Sequence, residues 1–299
     1  MYHVPVMLQE SLEGLKIQPN GIYVDVTFGG GGHSTAILAQ LKEGKLYAFD
    51  QDEDAEKQVV AHPNLVFTRS NFQHVEAYLK LLRVGPVDGL LADLGISSHQ
   101  IDEPGRGFST RGQGPLDMRM DTQSGLTAAD VVNDYSEADL HRILGMYGEL
   151  KNARTVAGAI VKARTKGALR TTEELKTVLN PYAPRGKEFK YQAQVFQALR
   201  IEVNQEMKAL EKLLEQSVRI IKPGGRLVVM SYHSLEDRMV KHFMQTGNVE
   251  GELHKDLYGN ILRPFEPVTR KPLEPSPEEL VSNPRSRSVR FRVAERKGL

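Results

Sequence analysis

The residues of this chain best placed to do chemistry are aspartates at or near the ends of short apolar runs. Asp25 lies in the run at 22–26 and is followed by Gly29-Gly30-Gly31-Gly32-His33; Asp50 follows the run at 45–49; Asp93 ends the run at 88–93. Four consecutive glycines let the backbone turn sharply and approach a ligand with no Cβ in the way. A helix expected at 34–41 would add unpaired N–H groups and the positive end of a dipole. A carboxylate at position 50 can accept hydrogen bonds from the ribose hydroxyls of an adenosine-type cofactor. The dinucleotide spacing Gly-x-Gly-x-x-Gly fails, because the third glycine falls on Ser34 or on Thr35 depending on the start. A short loop led by an acidic residue, with no pyrophosphate to seat, fits S-adenosylmethionine better than a nicotinamide dinucleotide.

Methyl transfer from a sulfonium is an in-line displacement, so a protein mainly positions and desolvates the nucleophile. The chain has no cysteine. That removes disulfides and thiolate metal sites, and with them the thiol nucleophile that methylation of pyrimidine carbon 5 normally uses. An exocyclic base amine is the remaining acceptor of interest. Its lone pair is delocalised into the ring, and an acceptor for its N–H protons would help expose it. Asp93 is placed for that work, or equally for a cofactor contact without a chemical role. The run Asp93-Leu94-Gly95-Ile96 lacks the stacking aromatic of the usual amine-methylating motif, which Phe108 or Tyr232 can replace; core packing is the alternative for both. His233, in Ser231-Tyr232-His233-Ser234-Leu235-Glu236-Asp237, can accept a proton near neutral pH. The competing reading is a helix start with Ser234 as cap and Glu236 and Asp237 facing the dipole. The nine histidines show no ligand spacing, so no metal is expected.

These residues need elements to hold them. Strands are expected at 22–26, 45–49, 64–68, 88–93 and 226–231, with helices between them. From Thr127 to about Arg200 only helical patterns occur, with starts near Ser136 and Thr171. Residues 273–284 are proline-rich and expected to be irregular. The alternating run at 288–293 reads as an edge strand with one polar face. The expected fold is α/β: a doubly wound, Rossmann-like methyltransferase sheet with an inserted all-helical domain. The core is assigned to 1–108 and 201–299, and the insertion to 109–200. Ligands of such sheets bind beyond the carboxyl ends of the strands, where Asp25, Asp50, Asn71-Phe72, Asp93 and Tyr232-His233 should converge.

The net charge of +1 conceals an uneven distribution. Residues 151–200 carry eleven Lys/Arg against three Asp/Glu, and residues 281–299 carry six against one. Two basic segments on a more acidic body suit a polyanionic substrate; solvated helix faces are the other reading. Arg164, Lys166 and Arg170 are the candidate phosphate contacts, and Arg200 is a further substrate-binding candidate. With no signal-peptide pattern at the start and no apolar run near 18 residues, a cytoplasmic protein without a membrane span is expected.

Read together, Gly31-Gly32-His33-Ser34, Asp93-Leu94-Gly95-Ile96-Ser97-Ser98, Arg106-Gly107-Phe108-Ser109, Gly114-Pro115-Leu116-Asp117-Met118-Arg119-Met120-Asp121, Phe196-Gln197-Ala198-Leu199-Arg200-Ile201 and Ser234-Leu235-Glu236-Asp237-Arg238 stand in a familiar order. The chain resembles the bacterial 16S ribosomal RNA cytosine-N4 methyltransferases, from His3-Val4-Pro5-Val6 to the motif at 283–288. The resemblance implies S-adenosylmethionine as cofactor. It implies methylation of the N4 amine of a cytidine in the decoding region of small-subunit RNA, with the small subunit or its 16S rRNA as partner. It places the methionine moiety at Gly31, Gly32 and His33, and ribose or adenine contacts at Asp50 and Phe72. Further cofactor contacts fall at Asp93 and Gln100, and RNA recognition falls to the helical insertion. Gly30 and His99 depart from some relatives, which carry a bulkier residue and a proline there. The catalytic base and the oligomeric state are left open.

Overall fold

Short apolar strands alternating with helices can be satisfied only by a sheet buried on both faces, and the larger part of the chain folds that way. The computed structural model describes residues 5–123 and 125–298, so His3 and Val4, at the head of the resemblance, lie outside the described residues. The strands are β1 (Ile22–Asp25), β2 (Lys45–Asp50), β3 (Leu65–Arg69), β4 (Val87–Asp93), β5 (Ile221–Ser231), β6 (Phe265–Pro267) and β7 (Arg290–Arg296). They form one sheet in the order β3-β2-β1-β4-β5-β7-β6. β1 to β5 are parallel; β7 runs antiparallel between β5 and β6. The order reverses between β1 and β4, which creates a switch-point crevice beyond Asp25 and Asp93.

Neighbouring residues on a strand point to opposite faces, and both sets are apolar here. Val24, Leu90 and Val229 lie in the core on one face; Tyr23, Leu91 and Val228 lie in the core on the other. This is the α/β, doubly wound arrangement expected. Three local expectations are corrected. The run at 288–293 is not an edge strand: Val268 and Thr269, just after β6, donate to the Val293 carbonyl, Leu273 pairs with Phe291, and most of β7 is buried. Its apparent polar face includes Arg292, which is 5% exposed and pairs with Asp237 through Nε at 2.7 Å. The segment 273–284 contains a helix, Pro277–Ser282, whose first turn is capped by Ser276. β5 starts at Ile221, five residues before the expected strand, because Pro223-Gly224-Gly225 is accommodated in a register shift against β4.

The chain divides into two compact units, Met1–Gly95 with Met207–Leu299, and Ile96–Glu206. The sequence places the insertion at 109–200; the contact division lies at 96 and 206. Gly95, at φ 94°, and Gln205, at φ 50°, stand beside the two crossings. Residues 96–108 group with the helical unit, where Ile96 and Phe108 pack into its core. That core gathers Val131, Leu140, Ile143, Val156, Ile160, Leu175, Val195 and Leu199 from five helices. The helix starts near Ser136 and Thr171 stand as expected: Ser136 caps Glu137–Met146, and Thr171 closes a capping box with Glu174 on Thr172–Leu179. Among the described residues no helix is long and apolar enough to cross a membrane.

Candidate cofactor and acceptor site

β1 ends at Asp25, and the chain must turn within six residues to start the helix Gly32–Leu38. Asp25 holds both sides of that turn. Its Oδ1 accepts the Thr27 N–H at 3.1 Å, and its Oδ2 accepts the Ser34 hydroxyl at 2.7 Å. Burial raises the Asp25 pKa, and those hydrogen bonds oppose the rise. The glycines are not equivalent. Gly31 caps the helix at φ 75°, and a Cβ there would stand 2.7 Å from Phe28 Cζ. A Cβ at Gly32 would overlap Pro5. A Cβ at Gly30 would meet nothing within 4 Å. Gly31 and Gly32 are therefore small because the protein crowds them. Gly30 lines open space.

β2 carries Asp50 to the same end of the sheet. Its Oδ2 accepts the Gly29 N–H at 2.8 Å and its Oδ1 accepts the Asp52 N–H at 2.9 Å. The carboxylate is thus pinned at both oxygens while each keeps a further lone pair. Burial pushes Asp50 up to about 6, against the pull of the two N–H groups. Asn71, just after β3, donates from Nδ2 to Gln51 at 2.7 Å and accepts the Gln73 N–H, starting the turn Phe72–His74. Phe72 is held beside the β2 terminus by that bond, and its ring is partly exposed. A fixed carboxylate and an aromatic side chain at adjacent strand ends suit a ribose and a purine face. The open space at Gly30 and the pinned Asp50 are the features a nucleoside cofactor fits.

β4 ends at Asp93, whose N–H donates to Thr27 Oγ1 at 2.7 Å. Its Oδ1 accepts the Tyr232 hydroxyl at 2.7 Å, and its Oδ2 stands 3.8 Å from His33 Nδ1. His33 Nε2 lies 2.9 Å from the Val6 carbonyl, which can only accept, so Nε2 carries the proton. The Asp93 side chain keeps 24% exposure, enough to meet a ligand. Burial raises its pKa, with His33 and Tyr232 opposing and Asp25 and Glu236 adding. The Tyr232 hydroxyl is raised well above its ordinary value by burial and by Asp93, so it remains a donor.

His233 is a correction. It, and not Ser234, caps the helix Ser234–Thr246: its Nδ1 accepts the Glu236 N–H at 3.4 Å, and Glu236 Oε2 accepts the Tyr232 and His233 N–H groups. Its side chain is 7% exposed, and Nε2 is buried without a hydrogen-bond partner, 3.2 Å from Glu236 Oε1. An enclosed ring that serves as a cap is poorly placed to take a proton from a substrate. Asp237 is committed to Arg292.

The remaining candidates lie in the helical unit. Gln100 is buried, and its Oε1 accepts the Ser97 N–H in a capping box. Phe108 is corrected: it is 6% exposed, part of the unit's apolar core, with the Arg106 guanidinium 5.8 Å from its ring centre, so it offers no open stacking face. Lys166 and Arg170 are exposed, as phosphate contacts must be. Arg164 donates to the Val132 carbonyl at 2.9 Å. Arg200 is 12% exposed and bonds Glu206 through Nε and Nη2 at 2.8 and 3.0 Å. Sequence reasoning missed the hydroxyls of Tyr232 and Thr27 as partners of Asp93. No spacing signals them, since the pairings join residues 139 and 66 positions apart.

The profile of the MraW methylase family matches residues 1–297. Ribosomal RNA small subunit methyltransferase H of Cytophaga hutchinsonii is 60% identical over 299 residues, covering 99% of this chain and 100% of that protein. The protein of the same name from Amoebophilus asiaticus is 58% identical over 300 residues, covering 100% and 97%. Among solved structures, an rRNA methylase from Streptococcus thermophilus aligns over 99% of this chain at 13% identity, with a TM-score of 0.42.

Proposed function

The chain belongs to the MraW methylase family, and we propose that it is the S-adenosylmethionine-dependent methyltransferase of small-subunit ribosomal RNA, acting on the N4 amine of a cytidine in the decoding region. The observation that carries the chemistry is Asp93. A carboxylate fixed at the switch point, one oxygen paired and the other turned toward the His33 side, is placed to accept from an exocyclic amine.

Gly31, Gly32, His33, Asp50 and Phe72 hold the cofactor in this reading, with Asp50 on the ribose hydroxyls. S-adenosylmethionine, once bound, supplies a methyl group on a sulfonium whose sulfur retains the S–C electron pair. The N4 lone pair forms the new C–N bond, and the N4 proton departs to Asp93. Raised by burial, that carboxylate accepts a proton more readily than a free aspartate would. The target must be unstacked to reach it, which favours a cytidine in a non-helical region. The helical unit's exposed Lys166 and Arg170 take RNA phosphates.

Wild-type protein, radiolabelled methyl donor and small subunits or free 16S rRNA test the reading. Digestion to nucleosides should place the label on N4-methylcytidine, and Asp50→Ala should abolish the transfer. Label on another nucleoside, or none on either RNA substrate, refutes it.

A further inference from the structure

We propose that Tyr232 is a positioning residue for the acceptor carboxylate: its hydroxyl, not its ring, is the part that serves methyl transfer, by holding Asp93 so that Oδ2 alone faces the substrate amine. This rests on the reading of Asp93 given above and adds a residue whose function no motif signals.

An aspartate side chain rotates easily about its last bond, because that torsion joins sp³ and sp² carbons and has broad wells. Backbone fixing by Thr27 does not remove this freedom. The Tyr232 hydroxyl does, since it donates to Oδ1 at 2.7 Å. The tyrosine is itself fixed. Its N–H is taken by Glu236 Oε2 at 2.8 Å, inside the His233–Glu236 capping box. Its ring lies over Gly95, where a Cβ would stand 3.5 Å from Cδ2. Glu236, tyrosine and carboxylate thus form a chain of constraints.

The groups that face Asp93 come from four places. They are His33 on the helix Gly32–Leu38, Asp25 on β1, Tyr232 after β5 and Glu236 on the helix Ser234–Thr246. Asp25 and Glu236 disfavour the ionised carboxylate; His33 and Tyr232 favour it. During transfer the N4 lone pair forms the bond to the methyl carbon, the S–C pair stays on sulfur, and one N4 proton passes to Oδ2. Rotation of the carboxylate would waste that geometry. Loss of the phenol would also raise the carboxyl pKa, because a donor to the ionised form is gone.

Tyr232→Phe and Tyr232→Leu separate the two uses of the residue. If the hydroxyl matters, both lower kcat by about ten- to a hundredfold, with KM for RNA and cofactor affinity within about threefold of wild type. The acid limb of the Tyr232→Phe pH–rate profile then moves to higher pH. The ¹³C resonance of the Asp93 carboxyl, titrated in protein without cofactor, shows the same upward movement and needs no turnover. Asp93→Asn combined with Tyr232→Phe should be no slower than Asp93→Asn alone. A Tyr232→Phe enzyme with wild-type kcat beside an impaired Tyr232→Leu would mean that the ring stacks on substrate, and would overturn the proposal. So would additive losses in the double variant, or an unmoved carboxyl titration. Failure of the wild type to methylate RNA would sink the functional reading instead, and the ¹³C titration would still decide whether the phenol controls Asp93.

Discussion

Cofactor affinity should depend on pH through Asp50, and the structure gives both the sign and the size. Burial pushes this carboxyl up to about 6, from an ordinary 3.8. In the proposed site the ribose hydroxyls donate to the ionised form, so binding should be strongest where Asp50 is charged. Affinity is then full near pH 8, about half near pH 6, and about a tenth near pH 5, where only about one carboxyl in ten is ionised. Stability runs the other way. A carboxyl whose folded pKa is raised contributes stability below its unfolded value, and that contribution is lost as pH rises through about 6. Acidification should therefore weaken cofactor binding while the Asp50 contribution to folding grows.

Asp50→Asn isolates the group. Two backbone donors, Gly29 N–H and Asp52 N–H, each meet one carboxylate oxygen. An amide has one oxygen and one NH₂, so one of those N–H groups would face another donor. Losing a charge-assisted bond to ribose costs about 1.5–3 kcal/mol, a ten- to hundredfold loss of affinity, before the local mismatch is added. Calorimetric titration with S-adenosylmethionine between pH 5 and pH 8 reads both effects. The wild type should weaken about tenfold toward pH 5, and Asp50→Asn should be weak and flat. A flat wild-type profile refutes the reasoning. A variant that keeps the wild-type slope refutes it too, because the titrating group would then be Asp25 or Asp93.

Other outcomes follow from the same geometry. Gly31→Ala combines a left-handed φ of 75° with a Cβ 2.7 Å from Phe28, and should cost about 1–3 kcal/mol in urea unfolding. Gly30→Ala should leave stability within about 0.5 kcal/mol, as the position is open, so any loss of affinity there reports the approach of a ligand. Arg292→Ala removes the paired guanidinium from Asp237, whose side chain is 23% exposed and partly rehydrates, and should destabilise by about 1.5–3 kcal/mol on the same assay. Charge reversal at Lys166 and Arg170 should reduce the salt slope of RNA binding; an unchanged slope removes them from the interface.

What sequence could reveal here follows from the range of the forces involved. The strands carrying Asp25, Asp50 and Asp93 were legible because each is an apolar run with a carboxylate at or near its end, and a parallel sheet sends those ends to one side. The glycine loop was legible as a turn, but not the inequality of its members. Pro5 and Phe28 crowd Gly32 and Gly31, while nothing crowds Gly30, and that distinction exists only after packing. The misreading of 288–293 has a definite cause. Alternation of arginines with apolar residues signals a solvated face, yet Asp237, on a helix 55 residues away in sequence, neutralises Arg292 and lets β7 lie inside the sheet. The cap at 233 failed for a related reason. Ser234 is the better cap by residue preference, but Glu236 secures the N–H groups of both Tyr232 and His233, and the helix starts one residue earlier in consequence. In both places a carboxylate on the helix Ser234–Thr246 overrides a local preference. One of them fixes the strand beside β5, and the other fixes the tyrosine that holds Asp93. The helix that follows β5 is thus organised by ion pairing and capping around Asp93 and its strand, a relation that no periodicity in the chain could have expressed.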